Sequence, residues 1–253
     1  MDPHGKTALI TGGAHRVGKA ITLALARAGC NVIINYNQSR QAAEATAIEA
    51  RAAGVEALPW KADVADPVQV DEMVAAARER FGRLDILINS ASHFERTPFP
   101  TRDLAAWHRV TGILIHGAFY CANAVAPLML DQGDGIIINI VDLAAWQPWP
   151  NFAAHSVGKA ALLALTRQLA LELAPAVRVN AVAPGLILPP PGYSPQKMEH
   201  AAGKTLLGRW GSLEDVTRAV AYLIEADYVT GEVIVVDGGE RFGHLKPSRG
   251  ALA

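Results

Sequence analysis

Short apolar runs rich in β-branched residues recur along this chain, each separated from the next by a longer stretch with helical periodicity. The runs fall at residues 7–11, 31–36, 55–62, 84–88, 135–141, 177–183 and 232–236. Two of them, Ile136-Ile137-Ile138 and Val233-Ile234-Val235-Val236, are apolar at consecutive positions. That pattern fits strands buried on both faces, as in a parallel sheet covered by helices. The alanine- and leucine-rich stretches between them predict helices over 19–28, 40–53, 66–81, 103–132, 151–174 and 214–226. Strand, helix and strand in this alternation imply right-handed crossovers and an α/β fold, a doubly wound parallel sheet of about seven strands.

No repeat or low-complexity linker divides the 253 residues, and 51% of them are hydrophobic, so one domain over 1–253 is expected. One segment breaks the rhythm. Residues 186–210 carry Pro189-Pro190-Pro191-Gly192 and Tyr193, beyond the C-terminal end of the sixth run, where open α/β sheets bind ligands; a substrate loop is expected there. Residues 240–253 read as a polar tail, either frayed or docked on a neighbouring subunit. The formal net charge is −1 with no basic run, which argues against nucleic-acid or membrane-surface partners. Cys30 and Cys121 lie in apolar contexts and offer no disulfide framework. The first residues carry no apolar signal-peptide core, and no apolar run approaches membrane-spanning length. A soluble cytoplasmic protein acting on a small molecule is the expectation.

The first run leads into Thr11-Gly12-Gly13-Ala14-His15-Arg16-Val17-Gly18. Glycines let the backbone turn tightly there, and a helix start offers free N–H groups and a positive dipole end to a phosphate. Gly12, His15, Arg16, Val17 and Gly18 are therefore candidate cofactor residues. The second run ends Tyr36-Asn37-Gln38-Ser39-Arg40, without the Asp or Glu that usually binds an NAD ribose. Arg16 and Arg40 offer positive charge, with Asn37 and Ser39 as hydrogen-bonding groups, which favours NADP(H). Asp63 and Val64 follow the third run and suit the adenine edge. Asn89, Ser90, Ala91 and Ser92 follow the fourth and would approach the cofactor ribose.

A third feature is chemical. The fifth run leads into Asp142, and thirteen residues later a predicted helix carries His155 and Lys159. A spacing of four puts the imidazole and the ammonium on one helix face, so carboxylate, imidazole and ammonium form a plausible proton-transfer set. His93, His108, His116 and His200 lack metal-ligand spacing, and no metal is expected.

Over nearly its full length the chain resembles the short-chain dehydrogenase/reductase family. The matching pieces are Thr11-Gly12 through Gly18, Asp63-Val64, Asn89-Ser90-Ala91, the pair ending in Lys159, Arg178 through Gly185, Thr230-Gly231, and Val236-Asp237-Gly238-Gly239. The resemblance implies a Rossmann-type sheet, a nicotinamide cofactor and a homotetramer. It also implies Lys159 on the nicotinamide ribose, and Pro184, Gly185 and Leu186 beside the nicotinamide. Within the family the chain is similar to the pteridine reductases, which carry arginine as at Arg16, an aromatic loop like Ser92-His93-Phe94, and Asp as at Asp142. That similarity implies Phe94 stacked on a flat heteroaromatic substrate, Ser92 hydrogen-bonding beside it and Tyr193 lining the pocket.

Two positions depart from the family pattern. Its catalytic tyrosine falls on His155, and its helix-four asparagine falls on Leu114. An imidazole can donate a proton near neutral pH, and a positioned general acid contributes only about 10²–10⁴-fold, so its replacement need not abolish hydride transfer. Two readings follow: an NADPH-dependent reductase of a pteridine, dihydrofolate-like or related carbonyl or imine substrate, or a catalytically impaired NADP(H)-binding protein with a sensing or structural role.

Overall fold

The computed structural model describes residues 1–189 and 192–245. Seven strands form one parallel sheet: β1 (Thr7–Ile10), β2 (Asn31–Tyr36), β3 (Ala57–Lys61), β4 (Ile86–Asn89), β5 (Gly135–Ile140), β6 (Val177–Pro184) and β7 (Val233–Val236). Their order across the sheet is β3-β2-β1-β4-β5-β6-β7. The order reverses between β1 and β4, so the crevice outside the C-terminal ends of those strands is the topological switch point where ligands bind in such sheets.

Helices cover both faces. On one side α1 (Arg16–Arg27), α2 (Arg40–Arg51) and α8 (Leu213–Glu225) pack Ile21, Leu25, Ala43, Ala47, Val220 and Leu223 on alternate residues of the strands. On the other, α3 (Pro67–Phe81), α5 (Ala118–Gln132) and α6 (Ala153–Leu173) bury Val70, Met73, Cys121, Val125, Ala170 and Leu173 against Leu9, Ile33, Leu87, Ile137 and Val179. β1, β4 and β5 are buried along their whole lengths. This accounts for their apolar runs on consecutive positions.

The structure departs from the sequence expectations at several places. The third strand shortens to Ala57–Lys61 and the fourth shifts to Ile86–Asn89. The helix expected over 103–132 is continuous but not uniform: α4 (Leu104–Thr111) passes through a π-helical turn, Gly112–Gly117, into α5. By length and composition this helix could cross a membrane, contrary to the sequence expectation, but α4 packs on α6 and α5 on α3, β4 and β5. The expected loop over 186–210 contains a helix, α7 (Pro195–Ala202). Ser194 caps it, accepting from Lys197 N, and Pro195 opens it with a φ already suited to a helix. Pro190 and Pro191 lie outside the described residues. The expected polar tail begins instead with a 3₁₀ helix, Glu240–Leu245, whose Glu240 accepts a hydrogen bond from Leu186 N at 3.0 Å; residues 246–253 lie outside the description.

Candidate active site

The glycine turn closes against its neighbours with little space to spare. A β-carbon on Gly18 would sit 2.3 Å from the Gly12 carbonyl oxygen, and one on Gly12 would meet the Ala91 backbone at 3.0 Å. Gly12 (φ 62°) and Arg16 (φ 48°) both adopt left-handed backbone. Two buried side chains hold the turn in place. Thr11 Oγ1 accepts from Ser90 N at 2.9 Å and Ala91 N at 3.0 Å, joining the β1 and β4 ends. Asn35 accepts from Gly12 N and donates to the Ala62 carbonyl, joining β1, β2 and β3. Sequence reasoning missed both. The signal for Asn35 was a polar residue inside an otherwise apolar strand, which a buried position tolerates only when its hydrogen bonds are satisfied.

Beyond the ends of β2 and β3 lies an open recess of about 490 Å³ lined by Tyr36, Asn37, Gln38, Arg40 and Lys61. Ser39, at the start of α2, makes no side-chain cap to its own helix, which leaves its hydroxyl free of that role. Lys61, in register with Tyr36 across the β2–β3 pair, is the residue the sequence reading missed. Arg16 is placed differently: its guanidinium donates to the Leu188 carbonyl at 3.2 Å, spanning from the first turn of α1 to the segment after β6. His15 is exposed at the N-cap of α1, and Val17 follows in the helix. Asp63 accepts from Ala65 N at 3.0 Å, and Val64 is buried. The Asn89 amide nitrogen is engaged in the interior, donating to Asn139 Oδ1 at 2.9 Å and to the Ala118 carbonyl, while its Oδ1 is buried with no hydrogen-bond partner among the described residues; Asn139 in turn donates to Thr166. Pro184, Gly185 and Leu186 form the end of β6 and the start of the next segment, where Gly185 N bonds the Val236 carbonyl.

Asp142, His155 and Lys159 come together. Asp142 opens a short 3₁₀ turn, Leu143–Ala145, and Oδ1 accepts from Ala144 N at 3.0 Å. Its other oxygen, Oδ2, lies 2.7 Å from His155 Nε2 and 4.0 Å from Lys159 Nζ. Lys159 donates to the Ile140 carbonyl at 2.7 Å, which ties α6 to the end of β5. Burial alone would raise the Asp142 carboxyl. The His155 hydrogen bond, the Lys159 charge and the Ala144 N–H outweigh it and hold the group below the usual carboxylate range. Burial lowers the Lys159 ammonium from its ordinary value, and Asp142 opposes that shift. His155 Nδ1 is buried with no hydrogen-bond partner among the described residues.

Four aromatic rings gather at this point. Trp149 stacks on His155 with centroids 5.5 Å apart and planes 14° from parallel, and Phe94 meets the imidazole edge-on at 5.0 Å. Phe94 stacks on Phe152 at 4.4 Å. Sequence reasoning found Phe94 but not Trp149 or Phe152. Their signal was three aromatics at a spacing of three, Trp146, Trp149 and Phe152, in a chain with 6% aromatic residues. Thr97 joins the two halves of this cluster: its backbone pairs with the 151–153 segment and its Oγ1 accepts from Ala154 N at 2.9 Å. Ser92 is exposed on the same loop. Tyr193, in the segment between β6 and α7, is placed edge-on to Trp210 at 6.4 Å. Leu114 lies in the π-helical turn, 1% exposed and close against Gly158 of α6. Such turns often mark functional positions in helices. Among the described residues, no group of three or more His, Cys, Asp or Glu could hold a metal ion.

Comparison with known proteins gives the same outline. The family model described as enoyl-(acyl carrier protein) reductase matches residues 12–240. A 3-oxoacyl-(acyl-carrier-protein) reductase of Synechocystis sp. is 37% identical over 243 residues, 92% of this chain and 96% of that protein. The enzyme FabG of the same description from Staphylococcus aureus is 35% identical over 239 residues, covering 92% of this chain and 97% of its own. Among solved structures, FolM alternative dihydrofolate reductase 1 of Brucella suis in complex with NADP superposes with a TM-score of 0.88 at 34% identity, over 100% of both chains.

Proposed function

This chain belongs to the short-chain dehydrogenase/reductase family and is a nicotinamide-dependent oxidoreductase of it, and from that premise we propose an NADPH-dependent reductase of a flat pteridine or dihydrofolate-like substrate. The observation that carries the reading is Phe94, 58% exposed and 5.0 Å from the His155 ring. An exposed aromatic face beside a proton-carrying pair suits a planar heteroaromatic that stacks and accepts a proton. The FolM neighbour, whose name describes a dihydrofolate reductase, supports it at full length.

The residues fit a nicotinamide dinucleotide. The glycine turn has no room for a β-carbon at Gly18, and the N–H groups at the start of α1 are free to meet a pyrophosphate. Arg40 and Lys61 in the recess beyond β2 and β3 supply the charge that a 2′-phosphate requires. Asp63 and Val64 would lie on the adenine side, Asn89 would hold the strand ends behind the ribose, and Lys159 would hold the nicotinamide ribose. When bound, the reduced nicotinamide supplies a hydride. The chain's own work is to orient the substrate on Phe94 and to supply a proton from the Asp142–His155 pair. Lys159 helps keep Asp142 ionised at rest.

NADPH oxidation measured with dihydrobiopterin, dihydrofolate and a panel of carbonyl compounds tests this. Turnover confined to the carbonyls would remove the pteridine assignment and leave a ketoreductase. A second reading, a cofactor-binding protein without turnover, is favoured by the near-complete burial of His155, 3% exposed, at the position the family resemblance assigns to the catalytic tyrosine. Tight NADPH binding by calorimetry with no substrate consumed, and faster turnover in His155→Tyr than in wild type, would establish it. The proposal includes a cytoplasmic homotetramer; exposed Phe119 and Leu130 on α5 with Val157 and Leu171 on α6 support association, which analytical ultracentrifugation measures.

A further inference from the structure

The loop that carries Phe94 is held from two directions. Thr97 pairs with residues 151–153 and accepts from Ala154 N. From the direction of α4, a single carboxylate holds the loop. Glu95 Oε1 accepts from Arg109 Nη2 at 2.7 Å and Oε2 accepts from Arg109 Nε at 3.1 Å, a bidentate pair that fixes the two planar groups against each other. His93 Nε2 lies 3.1 Å from the same Oε2. The residues immediately before and after Phe94 therefore meet at one carboxylate, and neither side chain can turn away without breaking a contact to it. Arg109 lies on α4, and the next residue, Val110, is fully buried in one apolar cluster with Leu114 and Ala154. Ala154 precedes His155, so α4 gives the carboxylate a base that is packed on the His155 turn. Arg109 also holds the Glu95 carboxyl below the usual carboxylate range, so the pair is ionised at neutral pH. Ion pairs this exposed add little to global stability, so the contribution of this one lies in placement. The Phe94 ring has Phe152 against one face at 4.4 Å and the His155 imidazole edge-on, and more than half of the residue remains exposed.

We propose that Glu95, clamped by Arg109, is a positioning residue that determines specificity: it fixes the Phe94 ring as a preformed stacking face and so favours flat heteroaromatic substrates over small aliphatic carbonyl compounds. The inference rests on the reductase reading above. Neither Glu95 nor Arg109 needs to touch the substrate, because both act through Phe94. With the clamp in place, the ring is already oriented when a planar ligand arrives. Without it, Phe152 still backs the ring, but the loop has to be ordered on binding, and that cost is subtracted from affinity. A small aliphatic carbonyl makes no such stack and is indifferent to the clamp.

The experiment measures dihydrobiopterin affinity by calorimetry on the protein loaded with oxidised NADP, where no hydride is available, and kcat and KM with NADPH alongside. The variants are Glu95→Gln, Arg109→Gln, the double Glu95→Gln/Arg109→Gln, Phe94→Ala, and Phe94→Ala/Glu95→Gln. Each is checked for folding by circular dichroism, and Phe94→Leu replaces Phe94→Ala if the latter does not fold. Glu95→Gln is expected to weaken dihydrobiopterin binding by about 2–10-fold, the range of one aromatic contact. KM for dihydrobiopterin should rise by the same factor, with kcat, NADPH affinity and kcat/KM on aliphatic carbonyls unchanged. Arg109→Gln should match it, and the double variant should lose no more than either single one, because both remove the same clamp. In the Phe94→Ala background, Glu95→Gln should cost nothing further. The Tm should move by less than about 4 °C, as for any exposed ion pair in a chain of this size. Hydrogen exchange read by mass spectrometry is independent of any ligand: the amides of residues 92–97 should exchange faster in Glu95→Gln than in wild type. Unchanged exchange in that loop, additive losses in either double variant, or an equal loss on aliphatic carbonyls would overturn the proposal. A wild type that binds dihydrobiopterin and reduces nothing would overturn the reductase reading alone, with the affinity ratios still deciding the clamp; a wild type that does not bind it would overturn both.

Discussion

A methyl group at Gly18 has nowhere to go, because the Gly12 carbonyl oxygen lies 2.3 Å from where its carbon would be and that oxygen belongs to backbone. Gly18→Ala is therefore expected to push α1 off the turn. Stability should fall by about 1–3 kcal/mol in chemical denaturation, the usual cost of overpacking, with a larger proportional loss of NADPH affinity in calorimetry. Arg40 and Lys61 line the recess proposed for the other end of the cofactor. Lys61→Ala and Arg40→Ala should each weaken NADPH binding by about tenfold, the size of one charge-assisted hydrogen bond, and leave NADH binding nearly unchanged. Arg40 was readable from the sequence because it follows directly on β2. Lys61 was not, since it joins Arg40 only through the β2–β3 register that sets Tyr36 opposite Lys61. Arg16 shows the reverse case: its charge was legible, but not its reach to the Leu188 carbonyl across the cleft.

At the scale of elements, helix α6 begins without a side-chain cap of its own, since Phe152 occupies the N-cap position. Thr97 supplies the missing acceptor from a loop more than fifty residues away in sequence, taking Ala154 N at 2.9 Å while 3% exposed. Thr97→Val keeps the shape and removes the acceptor. It should cost about 1–3 kcal/mol in chemical denaturation and lower kcat/KM further, because His155 follows Ala154 in the same turn. Strands and most helices were legible from periodicity, since consecutive apolar residues and alanine-rich amphipathic stretches each have one economical place in a two-sided parallel sheet. The aromatic cluster was only half legible. Phe94 lies on a loop that family resemblance marks, whereas Trp149 and Phe152 reach it through the Thr97 bridge, a contact no local pattern encodes. Helix α7 was missed although its Ser194-Pro195 start is a readable signal, because the preceding prolines suggested an irregular loop throughout.

For the molecule as a whole, acid sensitivity should trace in part to the Asp142–His155 pair. The Asp142 carboxyl is held below its unfolded value by His155, Lys159 and the Ala144 N–H against the opposing effect of burial. A depressed carboxyl contributes stability that is fully present above the unfolded value and is lost as pH falls through the folded one. Asp142→Asn should therefore flatten the fall in Tm below about pH 4, near the unfolded Asp value. Glu240 runs the other way: burial raises it, so its contribution is present at low pH and is lost as pH rises through its folded value. The difference between the Tm profiles of Asp142→Asn and Glu240→Gln separates the two. The Thr97 bridge carries a further consequence. Backbone pairing fastens the loop bearing Phe94 to the segment that leads into α6 and His155, so the exposed Phe94 ring and the His155 imidazole travel as one piece. Substrate range in this scaffold cannot be exchanged by transplanting residues 92–98 alone; a donor loop has to arrive with its own partner for residues 149–154, and lineages that changed one are expected to have changed the other.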